Sequence, residues 1–148
     1  MNKDLSELLN LLKSHQVEFL VVGAHAVSFH ARPRMTEDLD LWAGRAVPNG
    51  ERLRDALEAF GAPIGEEGAR RFSRFDRQMI RIGVPPNMVD ILNFAGKIPF
   101  EEVYSRRVEG TLGGIDLCFP SRDDLIEMKR AAGRSQDLAD IESLERFR

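Results

Sequence analysis

Much that would narrow the function of this chain at once is scarce or missing. There is one cysteine, Cys118, so no intrachain disulfide can form. That suits a reducing compartment. Of three histidines, His25 and His30 stand five apart, whereas a zinc pair on one helix face wants a spacing of three or four. A single tryptophan, Trp42, and a single tyrosine, Tyr104, fit core or rim better than a platform for stacked bases. No apolar run is long enough to span a bilayer. Met1 to Leu12 mixes polar and apolar residues without a signal-peptide pattern, which makes the cytoplasm the expected location. The formal net charge is only −3, so no bulk charge draws the chain to nucleic acid or to a membrane. Repeats and low-complexity segments are absent.

What is present fits a soluble globular protein: 43% hydrophobic and 30% charged residues over 148 positions. That length suits one domain, 1–148, and buries a core without staples. Leu5, Leu8, Leu9 and Leu12 make a helical stripe from Asp4 to Ser14, with Asp4 and Glu7 as a capping box. Val17 to Val22 is an apolar run typical of an interior strand, ended by Gly23. Ala24 to Ala31 follows as a short helix, stopped by Arg32-Pro33. Thr36 to Trp42 is expected to be a strand, and Pro48-Asn49-Gly50 a turn. Glu51 to Phe60 is an amphipathic helix closed by Gly61, and Gly61 to Gly68 is expected to be loop. Ala69 to Phe75 predicts a short helix or turn with exposed arginines, and Gln78 to Ile82 and Met88 to Leu92 predict strands. Phe100 to Tyr104 predicts a helical turn. Val108–Leu112 and Ile115–Phe119 flank Gly113-Gly114 as a hairpin. Ser121 caps a helix running to Gly133, and Gln136 to Phe147 forms a last one with Leu138, Ile141 and Leu144 on its inner side. The order predicts an α+β fold, a mixed β-sheet flanked by helices.

The segment Thr36-Glu37-Asp38-Leu39-Asp40-Leu41-Trp42 organises the chemistry. On a strand, Leu39 and Leu41 point one way and Thr36, Asp38 and Asp40 the other. Two carboxylates at this spacing sit roughly 6–7 Å apart at the backbone and can converge on hard cations. A bare Asp-x-Asp is more often a solvated face; the upstream context shifts the balance. A strand, a glycine and a short helix before paired acids is a recurrent phosphate-binding plan. The glycine lets backbone amides approach a phosphate, and the helix N-terminus offers unpaired N–H groups. Gly23, with the amides near Ala24 and His25, would be that cradle. A third carboxylate would complete a two-metal site or accept a proton from an attacking hydroxyl. Asp90, a lone acid in the apolar run Val89-Asp90-Ile91-Leu92, is preferred; Asp116 is the rival, and an edge strand with Asp90 in water is the bland alternative.

The stretches Phe19-Leu-Val-Val-Gly-Ala-His-Ala-Val, Arg34-Met-Thr-Glu-Asp-Leu-Asp-Leu and Val89-Asp-Ile-Leu together resemble the DNA polymerase β-type nucleotidyltransferase superfamily. The tail from Asp124 to Ile141 is similar to its small bacterial branch, which includes AbiEii-like toxins. The resemblance runs from Phe19 to about Leu144. It implies the nucleotidyltransferase fold and transfer of a nucleoside monophosphate from an NTP to a hydroxyl, in a toxin–antitoxin setting among others. It implies two Mg2+ ions, with Mn2+ as a substitute, held by Asp38, Asp40 and Asp90 as catalytic residues and metal ligands. It places Gly23, Ala24, His25, Arg34, Thr36 and Lys129 at the nucleotide phosphates. The family often carries a second glycine or a serine where this chain has Ala24, and alanine offers no hydroxyl to a phosphate. A non-catalytic nucleotide- or partner-binding module on the same fold is therefore the alternative.

Other residues divide between roles. Arg70, Arg71, Arg74, Arg77 and Arg81 crowd one stretch and read better as a solvated face than as a grip on triphosphate or RNA. Arg32 and Arg34 either reach the γ-phosphate or pair with Glu37. A lone Cys118 without a base is a poor nucleophile. The acceptor, whether protein, RNA or small molecule, is not legible. A partner chain or a second copy is expected to supply part of its surface.

Overall fold

A computed structural model describes residues 1–31 and 38–147. The expected α1 is Lys3–Ser14 and buries Leu5, Leu8, Leu9 and Leu12. Its N-cap is Asn2, whose side chain accepts the Leu5 N–H, rather than the anticipated Asp4. Burying four leucines contributes about 1.5–3 kcal/mol each, so this stripe anchors the chain's start. Strand β1 (Phe19–Val22) is buried at every position. Helix α2 (Gly23–His30) follows with no intervening loop, and β2 is Leu39–Ala43. The strand expected over Thr36–Trp42 thus begins at Leu39 among the described residues; Arg32, Arg34, Thr36 and Glu37 lie outside them.

Pro48-Asn49-Gly50 is not a turn but the first turn of α3 (Val47–Phe60). Proline is tolerated there because its missing N–H is one the helix cannot satisfy anyway. Asn49 is buried and fastens α3 to the strands: its Oδ1 accepts the Glu18 N–H at 2.8 Å, and its Nδ2 donates to the Glu18 and Gly44 carbonyls at 3.0 and 2.7 Å. Helix α4 (Gly65–Arg74) starts inside the segment expected to be loop, with Glu66 and Glu67 in its first turn, where carboxylates suit the helix dipole.

Strands β3 (Met79–Ile82) and β4 (Val89–Leu92) complete a four-stranded sheet in the order β1-β2-β4-β3. β1 and β2 are antiparallel, β2 and β4 parallel, β4 and β3 antiparallel. The sheet is therefore mixed, as expected, and β4 is interior rather than an edge. Helix α5 (Phe100–Ser105) leads to the hairpin of β5 (Val108–Leu112) and β6 (Ile115–Phe119), which forms a second sheet packed on β1. Ser121 caps α6 (Arg122–Ala132), accepting the Asp124 N–H. The Asp124 carboxylate does not reach back to close a box; it takes a bidentate grip from Arg106.

Helix α7 (Ser135–Arg146) turns an expectation over. Leu138 is exposed, and the buried positions are Asp137, Asp140 and Leu144. The acids go inside because Lys129 of α6 lies between them, 3.5 Å from Asp137 and 3.2 Å from Asp140. Arg134 also holds Asp137, with Nε–Oδ2 at 2.7 Å.

The sheet has two unlike faces. Val21, Leu39, Leu41, Val89 and Ile91 join the leucines of α1 and α3 in the main core. Leu20, Val22 and Trp42 pack with Phe100 and Val103 in a smaller cluster on the other side. Asp40 and Asp90 belong to that second face by strand alternation.

Candidate active site

The site is built on one row across the sheet. Val22, Asp40, Asp90 and Arg81 are successive register partners on β1, β2, β4 and β3. Side chains in register point the same way, so the two carboxylates and the guanidinium share a face. Asp90 is almost wholly buried, and the bland alternative of a water-facing edge acid does not hold. Asp116, the rival third acid, is exposed on the separate hairpin.

Gly23 opens α2 at the end of β1, beside Asp40. Its φ is +67°, a conformation that favours glycine. A Cβ placed on it would strike the Asp40 carboxylate, with the Asp40 Cγ only 3.1 Å away. The glycine thus serves the turn and the close approach together. Its neighbours Ala24 and His25 are half-buried.

Electrostatics tie the cluster together. Burial pushes the Asp40 carboxyl above the ordinary carboxylate value; Asp90 and Asp38 push the same way, and Lys129 and His25 oppose them. Burial pulls the His25 imidazole below its ordinary value, against a hydrogen bond to the Asp38 main chain and the pull of Asp40. His25 is therefore neutral at neutral pH. Asp38 lies just before β2, and its Oδ1 accepts the Met88 N–H at 3.0 Å, while the Leu39 N–H donates to the Met88 carbonyl at 2.8 Å. These contacts clamp the start of β2 to the entry of β4.

Asp90 is held by Arg81 through two hydrogen bonds, Nε to Oδ1 at 2.8 Å and Nη2 to Oδ2 at 3.1 Å. In return, the Asp90 carboxylate raises the Arg81 guanidinium further above its already high value. Among the described residues, no three His, Cys, Asp or Glu side chains stand ready as a metal cage. The donor chemistry of Asp38, Asp40 and Asp90 nonetheless fits a hard divalent cation. Gly23 keeps a side chain off Asp40, while the Arg81 guanidinium on the same row holds both Asp90 oxygens and is the group a cation would have to displace.

Lys129, expected at phosphate, is committed to Asp137 and Asp140 with its side chain 12% exposed, and it reaches Asp40 through its charge. Arg34 and Thr36 lie outside the described residues. Of the arginine run, Arg70 and Arg71 pair with Glu67 on the surface and Arg77 lies over the Phe94 ring. Arg81 is the member that the sequence did not separate from the rest. Its mark was there: an arginine in one strand, nine residues before the lone acid of the next. His30 Nε2 donates to the Pro120 carbonyl, 2.8 Å away, outside the acid row. Trp42 is core, as expected, and its indole N–H has no hydrogen-bond partner among the described residues.

Solved structures share this architecture. A lincosamide antibiotic adenylyltransferase, LnuA, bound to lincomycin, is 13% identical with a TM-score of 0.57 over 100% of this chain and 98% of that one. The antibiotic-resistance factor ANT(2'')-Ia is 14% identical with a TM-score of 0.58, covering 96% of this chain and 79% of its own. An antigenic nucleotidyltransferase-like protein from Paracoccidioides brasiliensis is 16% identical with a TM-score of 0.54, covering 95% and 74%. At these identities the likeness is one of fold. No curated protein sequence matches the chain. The family model described as "Nucleotidyltransferase of unknown function (DUF6036)" matches residues 2–146, and the chain belongs to that family.

Proposed function

We propose that the protein transfers a nucleoside monophosphate from an NTP, ATP being the first to test, to a hydroxyl on an acceptor. The observation that carries this is the register pairing of Asp40 with Asp90 on the sheet face beside Gly23. The α2 N-terminus presents main-chain amides there, and Gly23 keeps side-chain bulk away from an arriving phosphate. Ala24 contributes its amide only. Asp38, Asp40 and Asp90 would hold Mg2+, with Mn2+ as a substitute, and the bound cation would neutralise charge on the entering and leaving oxygens. The remaining work is positioning. Asp40 and Asp90 orient the acceptor hydroxyl across from the leaving pyrophosphate, and neutral His25 fixes the main chain at Asp38. Lys129 tempers the acid row from behind, through Asp40.

The reading extends to one catalytic domain over 1–148, located in the cytoplasm; no helix among the described residues is long and apolar enough to cross a membrane. Because a lincosamide antibiotic adenylyltransferase is among the fold neighbours, a small-molecule hydroxyl is the first acceptor class to test, ahead of RNA and protein. An AbiEii-like, toxin–antitoxin role and a partner chain or second copy completing the acceptor surface remain part of this proposal. The test is transfer of labelled nucleotide to a panel of hydroxyl acceptors by wild type and Asp40→Ala. Transfer that is lost with the aspartate supports the reading, and transfer that survives it removes the mechanism. A second reading, nucleotide binding without turnover, draws on Ala24 and on the occupied oxygens of Asp90. Calorimetric titration with NTP and Mg2+ that shows binding, without product across the panel, would select it.

A further inference from the structure

Arg81 stands on the edge strand β3, with its side chain 53% exposed, while that of its partner Asp90 is 12% exposed. One member of the pair is thus anchored in the sheet and the other is free to leave. The guanidinium faces Asp90 in register, donates to both of its oxygens, and also feels the charges of Asp38 and Asp40. Planar forks match carboxylates in this bidentate way, and they match phosphates equally well. Among the described residues, no other basic side chain donates to Asp90. Asp40, which lies next to it, carries the like charges of Asp90 and Asp38.

We propose that Arg81 is the latch of the acidic site: it occupies both oxygens of Asp90 until a divalent cation competes for them. This rests on the metal-dependent reading above. Arg81 is a positioning residue here, acting through Asp90. Loading the site swings its fork off Asp90 toward solvent. The exchange makes cation binding weaker than three carboxylates alone would give.

The experiment is titration of the full chain with Mn2+, followed by electron paramagnetic resonance, in wild type, Arg81→Gln, Arg81→Lys, Asp40→Asn, Asp90→Asn and the double variant Arg81→Gln/Asp90→Asn. Arg81 is half-exposed at an edge, and thermal unfolding checks that each variant folds. The expected result is a roughly tenfold tightening in Arg81→Gln, the scale of a charge-assisted hydrogen-bonded pair, with Arg81→Lys between the two. In the Asp90→Asn background the gain disappears. Two outcomes overturn the latch: no tightening in Arg81→Gln, or an equal tightening in the Asp90→Asn background, which would reveal a general charge effect. Mn2+ affinity unchanged by Asp90→Asn and by Asp40→Asn would overturn the metal site itself, and the latch with it.

Discussion

The substitution Gly23→Ala puts the geometry of the site to a quantitative test. Two costs add. A non-glycine residue in the left-handed region costs about 1–2 kcal/mol, and Gly23 sits there at φ +67°. The new methyl would also meet the Asp40 side chain, and overpacking of this kind costs about 1–3 kcal/mol. The sum is about 2–5 kcal/mol, a large part of a typical domain's stability. Gly114→Ala isolates the first cost, because Gly114 has φ +80° and nothing within 4 Å of its built Cβ. Both substitutions stiffen the unfolded chain alike, so that effect cancels in the comparison. Urea unfolding of the two variants should therefore differ by about 1–3 kcal/mol, the share due to Asp40. In an Asp40→Ala background the offending carboxylate is gone and only the Cβ, 3.1 Å away, remains, so the cost of Gly23→Ala should fall most of the way toward the Gly114→Ala level. If the two glycine variants are equally stable, or if Asp40→Ala fails to relieve the first, the close approach of the α2 turn to the acid row is refuted.

Three further outcomes are expected. Asp40 has a folded-state value raised above 3.8, so the folded protein binds that proton more tightly than the unfolded chain. Stability then falls as pH climbs from 3.8 through the raised value, and Asp40→Asn should be more thermostable than wild type at neutral pH while losing that slope. His25 is displaced below 6.5, so the unfolded chain takes the proton first as pH falls; stability drops between 6.5 and the lowered value, and His25→Gln should flatten that part of a melting-temperature profile. Lys129→Met leaves Asp140 buried without its ammonium and Asp137 dependent on Arg134 alone, which should cost about 3 kcal/mol in urea unfolding. Adding Asp140→Asn should recover a good part of it, and no cost at all would show the buried pair to be idle.

Local chemistry made some of this fold legible. The Gly113-Gly114 turn set the hairpin with its bounds, and the leucine stripe of α1 and the Ser121 cap of α6 were equally plain. Pro48 and Gly50 misled because the same residues that punctuate turns also fit a helix's first turn. Leu138 was misread as an inner residue for a different reason, since Asp137 and Asp140 take the inside instead. An acid looks like surface until its counter-charge is known, and Lys129 lies on another helix. The candidate site shows the same boundary. Paired acids beside a glycine could be noticed from spacing, yet the facing of Asp40 and Asp90, and the grip of Arg81, depend on strand register, which spacing does not carry.

Strand β2 answers to two masters. Leu39 and Leu41 are keyed into the leucine core on one side while Asp40, between them, is offered up on the other. The hydrocarbon packing thereby acts as an alignment jig for the carboxylate. Trimming Leu41 to alanine should blunt the chemistry through misplacement of Asp40 before it unfolds the molecule, and a one-residue slip of the strand would trade the acid for a leucine outright.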